Sequence, residues 1–249
     1  MRKLLLLYSF IFAQSIFAET IVLRSDEWCP YNCSPKSRNE GYILDVVRES
    51  FAKEGITIEY QIWPWAKSVK SAQMGFVAGV IGALKEEVPD FIYPDEEQGI
   101  SLSCFYAFKE SKVKYRNLKD LEGQTIGAIK YYSYGEKIDG YFRHNSTKVQ
   151  LVSDTDSAHM NVRKLLNKNI DLIVEDRNVM DRLLNRMKLS DEVVNVGCEG
   201  KGEKVYIAFS PKNPKSGKYA EIVDRAFKNA RENGSLESIL KKYGLKDWK

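Results

Sequence analysis

Four cysteines and two histidines are the residues with the most distinctive chemistry in this 249-residue sequence. The cysteines are Cys29, Cys33, Cys104 and Cys198. They could form two disulfide bonds, or they could hold one zinc ion through four thiolates. A four-cysteine zinc site usually has two short spacings, whereas Cys104 and Cys198 are 94 residues apart. Two histidines in the whole chain argue against a histidine-rich metal site and against a Ser-His-Asp triad.

The first eighteen residues have the layout of a secretory signal peptide. Arg2 and Lys3 give a positive start, an uncharged apolar run covers residues 4–12, and the small residue Ala18 ends the segment. We therefore expect a periplasmic protein that is cleaved after Ala18 and begins at Glu19. A membrane anchor is the alternative, but a spanning helix needs about 20 apolar residues, and this run is shorter.

Export also bears on the cysteines, because oxidising compartments favour disulfide bonds. Four cysteines allow three pairings. Cys29 and Cys33 flank a short turn and could bridge locally, which would leave Cys104 to pair with Cys198.

The overall composition is that of a folded globular protein. Hydrophobic residues make up 43% of the chain and charged residues 29%, which excludes a disordered or collagen-like protein. The formal net charge is +4, from 38 Lys+Arg and 34 Asp+Glu. This mixed charge does not indicate nucleic-acid binding, which usually requires a clustered basic surface.

Apolar periodicity predicts strands that alternate with helices. Strands are predicted at residues 20–24, 56–63, 77–81, 104–108, 125–129, 171–174 and 205–209. Helices are predicted at residues 41–54, 66–74, 157–167, 179–187, 218–233 and 236–243. This alternation is typical of βαβ units and of mainly parallel sheets, and it predicts an α/β fold.

Five segments in a fixed order carry a resemblance to a known family. They are the acidic, aromatic and proline-containing opening at 26–31, the glycine-aromatic helix start at 41–45, the Asp-Leu-Glu-Gly segment at 120–127, the leucine-to-aspartate segment at 165–176, and the ending at 206–211 and 234–244. Together they resemble the bacterial extracellular solute-binding proteins of family 3, the periplasmic polar amino-acid-binding type that serves ABC transporters.

The resemblance implies a two-lobed periplasmic-binding-protein fold of type II. Lobe one would comprise residues 19–103 and 212–249, and lobe two would comprise residues 109–204. The hinge strands between the lobes would be residues 104–108 and 205–211. Cys104 and Cys198 would then both lie near the hinge, which suits their pairing.

The resemblance also implies a set of ligand-binding residues in the cleft between the lobes. The set is Trp28, Tyr31, Lys85, Tyr131, Tyr132, Ser133 and Asp176. Several have a structural alternative: core packing for Trp28 and Tyr31, helix capping for Ser133, a surface turn for Asp176 and solvation for Lys85. Tyr131 and Tyr132 replace smaller residues of the family and would narrow the pocket or add an aromatic wall.

Lys85 marks a departure from the family, whose members usually place an arginine there to hold a ligand carboxylate. Lysine is a point charge and cannot form the two parallel hydrogen bonds of a guanidinium group. The sequence therefore departs from ordinary α-amino-acid recognition at this position.

The expected function is capture of a small polar solute, such as an amino acid, for an inner-membrane ABC transporter permease. We expect a monomer that is not an enzyme and uses no cofactor or metal. One alternative is an enzyme on the same fold, similar to cyclohexadienyl dehydratase, with Glu175 or Asp176 as general acid or base. The other is a ligand-sensing module that acts on a partner receptor.

Overall fold

The computed structural model describes residues 19–35 and 37–249. The expected signal peptide, residues 1–18, lies outside this part of the chain. The described residues form two five-stranded sheets with helices packed against them. This architecture confirms the predicted two-lobed α/β fold. Among the described residues, no helix is both long and apolar enough to cross a membrane.

The strands and helices are numbered in chain order. The strands are β1 (Glu19–Ser25), β2 (Ile56–Ile62), β3 (Gly79–Ala83), β4 (Gly99–Ser101), β5 (Ser103–Phe108), β6 (Ile126–Ile129), β7 (Val149–Val152), β8 (Leu172–Asp176), β9 (Val193–Cys198) and β10 (Glu203–Phe209). The α-helices are α1 (Tyr42–Lys53), α2 (Trp65–Gln73), α3 (Glu136–His144), α4 (Ser157–Leu166), α5 (Arg177–Met187), α6 (Ser216–Glu232) and α7 (Ser235–Lys242), with short 3-10 helices at Leu118–Leu121 and Ser146–Lys148.

Both sheets are mainly parallel, as predicted, with one reversed strand in each: β10 in the first sheet and β5 in the second. The first sheet has the order β2-β1-β3-β10-β4, and the second has the order β7-β6-β8-β5-β9. In each sheet the first three strands are parallel, and the last two strands pair antiparallel. The strands that run opposite to the others, β5 and β10, come directly after the passages of the chain between the sheets, and no helix lies between them and the preceding strands β4 and β9.

The two passages between the sheets differ from the expected hinge strands. Strand β5 pairs within the second sheet and β10 within the first, so neither strand runs from one sheet to the other. The chain changes sheets at Leu102 and at residues 199–202. A strand completes its hydrogen bonds inside one sheet, so the passage falls where pairing stops. The exact lobe boundaries remain a prediction.

Helix α1 shows how the sequence pattern positions these elements. Its apolar residues Ile43, Val46, Val47 and Phe51 are buried, as the 3.6-residue periodicity predicts. Gly41 precedes the helix with φ 112°, and a Cβ at this position would lie 2.4 Å from a backbone carbonyl oxygen. Only glycine fits this junction without strain.

All four cysteines form disulfide bonds. Cys29 is bonded to Cys33, and Cys104 is bonded to Cys198 on the neighbouring strands β5 and β9. No free thiol remains to bind zinc through the four-cysteine alternative.

Candidate functional site

The candidate site lies where loops from both sheets meet. Strands β1 and β3 are parallel in the first sheet, and β6 and β8 are parallel in the second. The carboxyl ends of parallel strands share one edge, where α/β proteins place their ligand sites. The loops after β1, β3 and β6 carry Trp28, Glu87 and Ser133, and β8 ends at Asp176, so the fold brings distant parts of the sequence together.

A turn after β1 holds two of the predicted aromatic residues. The Cys29–Cys33 disulfide closes this turn, and Trp28 and Asn32 form a backbone bridge across it. The rings of Trp28 and Tyr31 are stacked, with their centres 4.2 Å apart. Both side chains are buried. One face of the tryptophan is therefore already covered by the protein.

Hydrogen bonds join this turn to the second sheet. The Trp28 indole N–H donates to Glu175 Oε1 at 3.0 Å. The Tyr31 hydroxyl lies 3.2 Å from Asp176 Oδ2, and it accepts a hydrogen bond from the Asn178 side chain at 3.1 Å. The two halves of the molecule are thus in direct contact across the cleft.

Asp176 is a buried helix cap as well as a cleft residue. Its Oδ1 accepts a hydrogen bond from Val179 N in the first turn of α5, and its Oδ2 accepts one from Leu102 N at a passage between the sheets. Burial raises the pKa of Asp176 to about 6, although these two backbone hydrogen bonds oppose the shift. The surface-turn alternative does not match its 2% exposure.

Tyr132 also reaches across the cleft. Its hydroxyl donates to Asp26 Oδ2 at 2.8 Å, and its ring meets Trp28 and Trp65 edge to face. Tyr131 behaves differently, because its side chain is 64% exposed and its ring lies beside Lys130 outside the cavity. The neighbouring tyrosines therefore separate into one cleft residue and one surface residue.

Ser133 occupies the segment before α3, and its polar groups are already bonded to acidic side chains. Its backbone N–H donates to Glu87 Oε1 at 2.9 Å. Its hydroxyl donates to Asp139 Oδ2 at 2.6 Å, and the Tyr134 N–H donates to Asp139 Oδ1 at 2.9 Å. Side chains of the protein itself thus take the hydrogen bonds that a bound carboxylate would need.

Lys85 does not line the cavity. Its side chain is exposed, and its Nζ lies 4.8 Å from the ring centre of Tyr206 and 5.3 Å from that of Tyr93. The loop after β3 instead turns Glu87 inward, and Glu87 Oε2 accepts a hydrogen bond from Leu84 N. The expected replacement of the family's arginine by Lys85 does not form in this structure.

Four carboxyl groups face one another in the cleft, and burial disfavours their charged forms. Desolvation raises the pKa of Asp26 to about 7 and the pKa values of Glu87 and Glu175 to about 8. The neighbouring carboxylate Asp176 raises the pKa of Glu175 further. Near neutral pH, the closed cleft therefore favours the protonated forms of Glu87 and Glu175, whereas Asp176, with a pKa of about 6, is mostly ionised.

Glu175 has one oxygen without a partner. Its Oε1 accepts hydrogen bonds from Trp28 Nε1 and from Asp176 N. Its Oε2 is buried and has no hydrogen-bond partner among the residues that the structure describes, and Glu175 is only 1% exposed. A buried polar atom usually has a partner, so this oxygen marks an unsatisfied position in the wall of the cavity.

The remaining cavity is small. Its volume is about 20 Å³, which is room for one or two water molecules. Its wall combines aromatic rings, small hydroxyl side chains and the four carboxyl groups, without lysine, arginine or histidine among the described lining residues. A solute of amino-acid size would require the two halves to separate.

The sequence predicted part of this site. Trp28, Tyr132, Ser133 and Asp176 line the cavity, and Tyr31 packs behind them. Asp26 and Glu87 were not among the predicted site residues, and Glu175 was proposed only as a general acid or base. The detectable signal was an acidic residue directly at or after the end of an apolar strand, as at Asp26 and Glu175.

Comparison with known proteins gives structural matches only. No protein-family model and no curated protein sequence matches the chain. A solved structure of the arginine-, lysine-, histidine-binding protein ArtJ from Geobacillus stearothermophilus is similar, with a TM-score of 0.74 and 19% identity over 92% of this chain and 97% of that one. The chain has the two-lobed fold of periplasmic binding proteins.

Two further matches show how widely this fold is used. A structure from the glutathione import system of Streptococcus mutans, which involves GshT and the cystine ABC importer TcyBC, has a TM-score of 0.76 and 19% identity over 92% of this chain and 96% of that one. A histidine kinase sensor domain with similarity to periplasmic binding proteins has a TM-score of 0.74 and 18% identity over 92% of this chain and 98% of that one.

Proposed function

We propose that this chain is an exported binding protein that captures a small polar solute between its two lobes. It would deliver the solute to an inner-membrane ABC transporter permease and would act as a monomer without catalysis. Export and cleavage after Ala18 rest on the sequence of the first eighteen residues.

The observation that carries this proposal is the meeting of polar and aromatic side chains from both lobes at one buried cavity. Trp28 and Asp26 come from one lobe, and Tyr132, Glu175 and Asp176 come from the other. Ligand sites combine apolar walls with a few convergent polar groups in this way. Closure of two lobes around a ligand is an established motion of this fold.

The direct test is a thermal-shift screen of the purified protein against amino acids, small organic acids, amines and sugars. A ligand present at 100 times its Kd adds about 2.7 kcal/mol of stability. For a protein of this size, the melting temperature would rise by about 5–10 °C. No rise with any class of solute would contradict the proposal.

Two additional measurements separate the alternatives. Recovery of the bound solute unchanged after incubation supports binding, whereas a converted product supports an enzyme of the dehydratase type. A sensing role is favoured by the match to a histidine kinase sensor domain. Deletion of the gene should abolish uptake of the solute in a transport role, but should abolish only the cellular response in a sensing role.

A further inference from the structure

In the segment before α3, the N–H groups that could bind a ligand anion are already hydrogen-bonded to side chains of the protein. The Ser133 and Tyr134 N–H groups donate to Glu87 and Asp139, and the Ser133 hydroxyl donates to Asp139. A ligand carboxylate could bind here only by displacing these internal carboxylates. Lys85, the cation expected to assist it, lies outside the cavity on the rings of Tyr93 and Tyr206.

The cavity instead presents free capacity for a hydrogen-bond donor. Glu175 Oε2 is a buried oxygen without a hydrogen-bond partner in residues 19–35 and 37–249, and Glu175 lines the cavity beside Asp26 and Asp176. No positively charged side chain stands among the described lining residues to balance these acids. A buried carboxylate without a counter-charge is costly, so the empty closed cleft keeps Glu175 protonated. A ligand donor that carries positive charge would stabilise the ionised form and bond Oε2 at the same time.

The aromatic walls favour the same ligand chemistry. Trp28, Trp65 and Tyr132 line the cavity, with the Tyr132 ring set edge to face against both tryptophans. Aromatic faces attract ammonium and guanidinium groups, most strongly where water is excluded. The cavity therefore combines acidic acceptors with aromatic surfaces, which is the environment that stabilises an organic cation.

We propose that the cleft binds a small organic cation through an ammonium or guanidinium group at Glu175, and that it does not require a carboxylate on the ligand. This inference rests on the proposed solute-binding function and specifies its substrate class. The two lobes must open to admit the cation, and the aromatic side chains must then close on it.

The test compares ligands that differ only in the carboxylate. Isothermal titration calorimetry would measure binding of cadaverine against lysine and of agmatine against arginine. If Glu87 and Asp139 occupy the position of a ligand carboxylate, cadaverine or agmatine should bind about tenfold or more tightly than its amino-acid counterpart. The ligand carboxylate would find the Ser133 and Tyr134 N–H groups already bonded.

Three other outcomes would overturn the inference and would report separately on the function. Tighter binding of lysine or arginine would refute the cation-without-carboxylate preference and leave solute binding intact. Binding of a neutral solute, with none of these four cations bound, would also refute the cation preference and leave solute binding intact. Absence of binding by all of these probes and by the wider thermal-shift panel would refute both proposals.

Variants at two glutamates locate the effect within the site. Glu175→Gln keeps an oxygen acceptor for Trp28 and Asp176 but cannot ionise to balance a bound cation, so the cation should bind about tenfold or more weakly. Glu86→Gln is the matched control, since Glu86 is exposed and does not line the cavity. Equal affinity in Glu175→Gln and Glu86→Gln would overturn the assignment of Glu175.

Glu87→Ala tests directly whether the Glu87 carboxyl group keeps a ligand carboxylate away from the Ser133 N–H. Removing this carboxylate frees the Ser133 N–H, so the preference for cadaverine over lysine should shrink by about fivefold or more. The melting temperature of each variant verifies that it is folded. An unchanged preference in folded Glu87→Ala would show that Glu87 does not exclude the ligand carboxylate.

Discussion

Replacing Glu175 by glutamine should remove a defined part of the pH dependence of stability. Burial raises the pKa of Glu175 from 4.5 to about 8, with a further upward contribution from the charges of Asp176 and Asp26. The hydrogen bonds from the Trp28 indole and the Asp176 N–H oppose this shift. The protonated form of Glu175 is therefore the form that the closed structure favours.

The sign and size of the effect follow from this pKa. A carboxyl group with a raised pKa stabilises the folded state fully below its unfolded pKa, and that contribution is lost as the pH rises through the folded pKa. The loss for Glu175 runs from about pH 4.5 to about pH 8. At about 1.4 kcal/mol for each pKa unit, it reaches at most about 5 kcal/mol, and opening of the cleft lowers it by rehydrating the group.

Urea unfolding at pH 5 and pH 9, followed by tryptophan fluorescence, measures this loss. The free energy of unfolding of the unmodified protein should fall by about 2–4 kcal/mol more than that of Glu175→Gln between the two pH values. Glutamine still accepts the two hydrogen bonds at Oε1, so folding is preserved.

The other titratable groups of the cleft contribute the same pH dependence of stability to the unmodified protein and to Glu175→Gln. Asp26 faces Tyr132, Glu87 faces the Ser133 N–H and Asp139, and Asp176 faces Tyr31. These groups account for the pH dependence that remains in Glu175→Gln. Glu86→Gln should follow the unmodified protein. Equal losses in the unmodified protein and in Glu175→Gln would refute the reasoning.

Three further changes test the scaffold that holds the site. Removing the Cys104–Cys198 disulfide with two serines should cost about 4–5 kcal/mol in urea unfolding, because the bond closes a loop with a sequence separation of 94. Gly41→Ala should cost about 2 kcal/mol or more, since the added Cβ would lie 2.4 Å from a carbonyl oxygen at φ 112°, and an unchanged melting temperature would contradict this. Asp176→Ala should cost about 2–4 kcal/mol through loss of the α5 cap and of the acceptor for Leu102 N. Asp171→Ala at the start of β8 provides a comparison outside the cavity, and it should leave the affinity for an identified solute unchanged.

The order of helices and strands was largely accessible from the sequence, because apolar periodicity is a local property. The bounds of α1 and α4 agree with prediction to within one residue at each end. The strands β4, β7 and β9 were missed. Strand β4 has three residues and β7 has four, and all three lie at a sheet edge, where short, partly exposed segments give little periodic signal.

The sequence by itself determined the α/β class, the order of the elements and several cleft positions, including Trp28, Ser133 and Asp176. Only the tertiary structure decided what each of these residues contacts. Trp28 bonds Glu175 across 147 residues of sequence, and Ser133 bonds Glu87 across 46. Such pairs depend on how two separately formed sheets pack together, and no local pattern records that packing. For the same reason, the sequence could not show that the loop after β3 turns a glutamate into the cleft and leaves its lysine at the surface.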